Sequence, residues 1–220
     1  LTQYKHLYPE FLRTLPQEQL LSGLAEMIKH ALIASPEQWQ QLLQLTDDNA
    51  QTPDFIEEIT RSGLLEANIE IKEKVVAEDP LETGWRKILN FGHTIGHAIE
   101  SASLASHLSP IASRPSHGYC VLWGMVAELY LSVIKMGCPR NVLTQMSHLM
   151  ISLYGRPECN CRQVETLKHW MLKDKKNFVE ASSSRPQISF TLLRNIGETV
   201  VDQTVSDSEL DEALEYLFSL

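Results

Sequence analysis

Positive charge is in short supply. Lys and Arg number 19 against 28 Asp and Glu, a formal net charge of -9, and no basic arm or stripe stands out. That balance argues against nucleic-acid binding and for a solvated acidic surface. Cysteine is also sparse. The four thiols, Cys120, Cys138, Cys159 and Cys161, lack zinc-knuckle spacing, because Cys159-Asn160-Cys161 leaves one residue where paired zinc ligands usually leave at least two. They read as reduced thiols of a cytoplasmic protein. No apolar run of about 18 residues and no charged-then-apolar leader is evident, so neither a membrane span nor a signal peptide is expected. Nothing has the form of a strand followed by a Gly-rich turn. Internal repeats are absent too, as is any linker long enough to separate one domain from another.

What is present is helix. The 220 residues, 43% hydrophobic and 21% charged, suffice for a real core. The segment 1–13 reads as a connection or short helix. Thr14-Leu15-Pro16 predicts a helix start with a capping hydroxyl, and the helix runs through Leu20, Leu24, Ile28 and Leu32 to Ser35-Pro36. A short helix follows from Pro36 to about Leu45. A long amphipathic one is predicted from Thr52-Pro53 to about Ala77, with Phe55, Ile56, Ile59, Leu64, Ile69 and Val76 on its stripe. Asp79 to Gly84 reads as a turn and Ser101 to Ser116 as a surface loop. Further helices are expected over 119–135, 139–154, 161–173 and 207–217. Near the end the period shortens: Ile188 to Leu193 and Thr199 to Val201 predict a short hairpin. The fold class is therefore mainly α, one multi-helix domain over 1–220 with a short β-hairpin near the C-terminus.

The chemistry concentrates in Leu89-Asn90-Phe91-Gly92-His93-Thr94-Ile95-Gly96-His97-Ala98-Ile99-Glu100. If a single helix starts at about Trp85, Asn90, His93 and His97 share one face. Histidines at i and i+4 can chelate a metal, and they can equally be a hydrogen-bonded pair on a helix surface. Gly92 and Gly96 together cost roughly 2 kcal/mol relative to alanines inside a helix, so another helix, a substrate or a cofactor must approach this backbone closely.

Three protein ligands and an open position define a catalytic zinc site, and Glu26, His93 and His117 offer a mixed nitrogen and oxygen set. Glu26 lies in the apolar stretch Leu24-Ala25-Glu26-Met27-Ile28. It needs a partner there, either a metal or Lys29 three residues on. His117, beside Gly118 at the head of an apolar helix, can face a cavity or act like an N-cap residue. Lys29, Lys72, Arg86 and the pair Lys175-Lys176 could together hold a phosphate and a carboxylate, although singly each reads as a surface charge.

These stretches carry a resemblance. Glu10-Phe11-Leu12-Arg13-Thr14-Leu15-Pro16, Gly23-Leu24-Ala25-Glu26-Met27-Ile28-Lys29, Lys72 through Val75-Val76-Ala77-Glu78-Asp79, the run Gly84 to Glu100, His117-Gly118 through Gly124-Met125, and Asp174-Lys175-Lys176 occur in an order that resembles the C-terminal half of the 3-dehydroquinate synthase family. The resemblance covers nearly the whole chain. It implies Glu26, His93 and His117 as ligands of Zn2+ or Co2+, and His97 facing substrate instead of metal. It also implies that Lys29, Lys72, Arg86, Asn90 and His97 line a substrate pocket, with Glu82 as a supporting carboxylate and one of Lys175 and Lys176 as a late substrate lysine. Family enzymes convert 3-deoxy-arabino-heptulosonate 7-phosphate, a phosphorylated sugar acid, to 3-dehydroquinate and phosphate in the shikimate pathway. NAD oxidises and later re-reduces the C5 carbon, phosphate leaves by elimination, and the ring reopens and closes as a carbocycle. The metal would polarise the C4 and C5 oxygens.

Two departures set further expectations. Family members carry an N-terminal nucleotide-binding domain of about 150 residues that nothing here resembles. The chain also starts at Leu1 without Met. It is therefore expected to be a fragment or one piece of a split enzyme, inactive alone, with most of the NAD site in the missing domain. An apolar patch should remain where that domain docks, with self-association into a homodimer as one consequence. The stretch between His97 and His117 is longer than the family's by several residues, through Leu104 to Pro115. Within enzymes the alternative is another sugar phosphate cyclase or a metal-dependent polyol dehydrogenase on the same scaffold. Outside enzymes it is a non-catalytic helical module that keeps the motif for packing.

Overall fold

The computed structural model describes residues 6–49, 55–105, 114–158, 163–174, 178–179 and 187–220. Its described helices are α1 (Gln17–Ala34), α2 (Pro36–Asn49), α3 (Phe55–Arg61), α4 (Leu64–Glu78), α5 (His93–Ala105), α6 (His117–Leu131), α7 (Arg140–Leu153), α8 (Val164–Lys173) and α9 (Asp207–Ser219). Short 3-10 helices span Pro9–Thr14 and Trp85–Asn90, and a π-helical turn, Ser132–Met136, extends α6. Two antiparallel pairs complete the described chain: β1 (Phe178–Val179) with β2 (Gln187–Ile188), and β3 (Phe190–Asn195) with β4 (Glu198–Gln203). The mainly α class with a late hairpin is the observed one.

Helix α6 is the axis of the molecule, with α1, α5, α7 and α9 packed against it. Its residues are almost all apolar, and Cys120, Val121, Leu122, Met125, Val126, Ala127, Leu129 and Leu131 are fully buried. By length and composition the segment His117–Met136 could cross a membrane, with a mean hydropathy of 1.4, which corrects the expectation that no such run exists. Neighbouring helices enclose it, so here the run is core. A helix apolar on every side is what a central position requires.

Several predicted boundaries move, each for a local reason. The stripe expected to give one helix from Thr52 breaks at Gly63, which adopts φ 71° and divides α3 from α4; Thr52 and Pro53 lie outside the described residues. Thr14 does not cap α1. Its hydroxyl donates to the Phe11 carbonyl, and Pro16 takes the N-cap position. Ser35 is extended, as a residue preceding proline prefers, and this ends α1 before Pro36. Helix α5 runs on through Ala105, so the start of the expected 101–116 loop is helical, while residues 106–113 lie outside the described ones.

The β3–β4 hairpin is a clamp. Gly197 donates its N–H to the Leu32 carbonyl at 2.9 Å, Thr199 donates to Ile33 O at 3.1 Å and Thr191 to Lys87 O at 2.9 Å. Lys87 closes the set with an ion pair to Asp202 at 2.8 Å. The end of α1 and the Trp85–Asn90 turn are thereby held in one frame.

At the other end of α1 the surface is apolar. Tyr8 and Phe11 are 63% and 75% exposed, and beside them a cavity of about 180 Å3 is lined by Leu12, Leu15, Leu20, Met27, Phe55 and Ile59 among others.

Candidate metal and substrate site

The histidine-bearing segment is two elements instead of one. Trp85–Asn90 forms a 3-10 helix, Gly92 turns the chain at φ 79°, and only then does α5 begin at His93. Asn90 therefore does not share a helical face with His93 and His97. What approaches the glycines is another helix. A Cβ on Gly96 would come within 2.9 Å of the Cys120 carbonyl and the Val121 Cα, and one on Gly124 would strike the Gly92 carbonyl. Backbone packs on backbone here, which brings His93 and His97 of α5 beside His117, the first residue of α6.

The three imidazoles form a cluster. One ring nitrogen from each of His93, His97 and His117 lies within 4.8 Å of the others. In each ring Nδ1 faces an oxygen: Phe91 O at 3.1 Å for His93, Asp174 Oδ2 at 2.9 Å for His97 and Glu100 Oε2 at 3.2 Å for His117. With Nδ1 carrying the proton, Nε2 keeps its lone pair, the arrangement metal-binding histidines use. The Nε2 atoms of His93 and His117 stand 3.8 and 4.0 Å from Glu26 Oε1.

Glu26 has the ion-pair partner of one sequence reading and, for the other, an oxygen left open. Its Oε2 accepts from Lys29 Nζ at 2.7 Å, while its Oε1 is buried with no hydrogen-bond partner. An orphaned carboxylate oxygen costs free energy unless something cationic completes it. With two Nε2 lone pairs beside it, the donor set is a mixed nitrogen and oxygen one suited to Zn2+ or Co2+. The residues fit the group.

Protonation states agree with this. Burial alone would raise the Glu26 pKa, but the Lys29 ammonium outweighs it and holds the carboxyl at about 2. Burial, then Lys29, pushes His93 down to about 3, so its imidazole is neutral at pH 7. Burial likewise lowers Lys29, 3% exposed, with the Glu26 carboxylate opposing.

The other candidates are distributed around this centre. Lys72 stands on the exposed side of α4, and its charge lowers Lys29 further. Arg86 is set by the turn before it. Asp79 accepts backbone N–H groups from Arg86, Thr83 and Gly84 at 2.8–3.0 Å, which hold its carboxyl well below the usual range, and Arg86 Nη1 donates to Pro80 O. Glu82 sits in the same turn at φ 56°. Among the described residues neither Glu82, Arg86 nor Asn90 bonds to the cluster. Lys175 and Lys176 lie outside the described residues. His117 is not an N-cap; Ser116 holds that position.

Residues 23–177 match the family model of the 3-dehydroquinate synthase C-terminal region. The chain belongs to that family. A 3-dehydroquinate synthase of Parabacteroides distasonis is 39% identical over 94% of this chain and 54% of its own length. One of Staphylococcus aureus is 30% identical over 94% of the chain and 53% of its own. The chain thus spans about half the length of the curated synthases it matches. Among solved structures, 2-epi-5-epi-valiolone synthase from Streptomyces hygroscopicus, with NAD+ and Zn2+ bound, superposes at TM-score 0.72 and 21% identity, covering 95% of this chain and 54% of that one. A 2-deoxy-scyllo-inosose synthase complexed with carbaglucose-6-phosphate, NAD+ and Co2+ gives 0.69 and 20%, over 94% and 55%. The chain thus shares its fold with about half of each of these two synthases.

Within this synthase-family domain, sequence reasoning missed Asp79, Glu100, Glu128 and Asp174. Glu128 was within reach, being the only charged side chain in α6, the same signal that marked Glu26. Glu100 and Asp174 meet their histidines only through the fold.

Proposed function

We propose that the chain is the metal- and substrate-binding domain of a cytoplasmic 3-dehydroquinate synthase, a lyase converting 3-deoxy-arabino-heptulosonate 7-phosphate to 3-dehydroquinate and phosphate. The observation that carries this is the orphaned Glu26 Oε1 facing the Nε2 atoms of His93 and His117, in a chain 39% identical to a relative of that name. Glu26, His93 and His117 would hold Zn2+ or Co2+, which when bound supplies a Lewis acid for a substrate hydroxyl, while NAD, bound mostly by a further domain, supplies the hydride acceptor. His97, fixed by Asp174 at 2.9 Å, faces substrate and can hold or move a proton there. Lys29, Lys72 and Arg86, with Lys175 or Lys176, neutralise the phosphate and carboxylate, Asn90 orients a hydroxyl, and Glu82 supports the basic residues. Without the NAD-binding domain the chain turns over no substrate.

The test is zinc titration of the purified chain beside Glu26→Ala, His93→Ala and His117→Ala. Near-stoichiometric uptake by wild type, weakened at least about tenfold by each substitution, is expected. A folded chain that takes up no zinc would sink the metal assignment. With the NAD-binding domain supplied, turnover of the heptulosonate phosphate in preference to other cyclase substrates is expected; preference for another substrate would transfer the chain to a sibling activity.

A further inference from the structure

Helix α5 presents His93 and His97 yet has no cap of its own. The residue before it is Gly92, and a side chain there would collide with Met125 and the Val121 carbonyl, so no cap can be built at that position. The first N–H groups of a helix need acceptors. They receive them from another element: Glu128 Oε2 accepts the Gly92 N–H at 2.7 Å, Oε1 accepts that of Ile95 at 3.4 Å, and the Thr94 amide also bonds to this carboxyl. Glu128 is fully buried and sits one turn beyond Gly124, where α5 and α6 touch backbone to backbone. An apolar side chain would suit α6 better at this depth, since burying a carboxyl is costly. What the carboxyl supplies is direction. It grips the amides on both sides of His93 and so sets the angle at which the first turn of α5 presents its rings.

We infer that Glu128 is a positioning residue of the candidate site, fixing the start of α5 and with it the ring geometry of His93 and His97 against Glu26 and His117. This rests on the metal-site reading for its affinity readout, and a second readout is independent of metal. In the intact chain, Glu128→Ala and Glu128→Gln are compared with Leu42→Ala, a fully buried α2 residue whose loss lowers stability away from the cluster. Zinc titration is expected to show Kd raised about 10- to 100-fold for Glu128→Ala, raised less for Glu128→Gln, whose carbonyl still accepts one N–H, and unchanged for Leu42→Ala. A folded Glu128→Ala chain with wild-type Kd would overturn the proposal. If Glu128→Ala does not fold, Glu128→Gln decides by the same measure. NMR separates this inference from the metal reading: without zinc, Glu128→Gln should speed exchange of the Gly92, Thr94 and Ile95 amides and shift the ring resonances of His93 and His97. Unmoved rings would overturn the positioning role even if zinc binds, and moved rings would support it even if wild type takes up none.

Discussion

Single residues decide the pH response of the metal-free chain. His30, 5% exposed, bonds through Nδ1 to Asn68 Oδ1 at 2.8 Å, and Asn68 is itself tied to Met27 O and Gln38 Oε1. Burial, then the Lys29 charge, depresses the His30 pKa from 6.5 to about 4. The unfolded chain therefore binds more protons between those values. His30 contributes stability that is present above pH 6.5 and is lost as pH falls towards 4, at about 1.4 kcal/mol per pH unit. His93 acts in the same direction across the same range and on down to about 3, and Glu26 does so between 4.5 and about 2, whereas Glu128, raised by burial to about 8, opposes them between pH 4.5 and 8. The difference between wild type and His30→Gln isolates one group: urea unfolding at pH 6.5, 5.5 and 4.5 should show a steeper acid decline for wild type, and parallel declines would refute the assignment. Glu26 was legible because a charge in an apolar helix demands a partner. That one of its oxygens is taken by Lys29 and the other left open was not, since spacing cannot tell which oxygen a partner takes.

Elements were legible wherever hydrophobic period and chain punctuation agreed, as at Ser35-Pro36 and across the β3–β4 hairpin. They were misread where a left-handed glycine interrupts an unbroken apolar stripe: Gly63 splits α3 from α4, and Gly92 separates the Trp85–Asn90 turn from α5. Periodicity counts side chains and passes over a residue that has none. The same glycines make the α5–α6 contact intolerant. Gly124→Ala would drive a methyl into the Gly92 carbonyl and to 2.7 Å from Gly96 N, both backbone atoms with no rotamer to yield, at a cost of about 1–3 kcal/mol. Gly23, inside α1, has nothing within 4 Å of where a methyl would stand, and should instead gain about 0.5–1 kcal/mol as alanine. Denaturant unfolding of the two variants checks this, and equal effects would show that the helix contact is looser than described.

At the scale of the whole molecule, the apolar face at the start of the chain is the feature the sequence led one to expect. Leu7, Tyr8, Phe11 and Leu15 are exposed beside the apolar cavity, and a surface of this kind associates. Sedimentation equilibrium should find the isolated chain self-associating with rising concentration, with Phe11→Ser and Leu15→Ser together weakening it; a wild-type monomer at all concentrations would count against the face being adhesive. The central position of α6 has a different consequence, one that concerns synthesis. The ribosome releases α6 about 88 residues before α9 is complete, so at about 5–20 residues per second the most water-averse of the described helices waits several seconds with one flank open. During that interval its composition is that of a membrane segment, which makes it the stretch a chaperone must hold, and a nascent chain halted before residue 207 should be retained by chaperones or lost to aggregation.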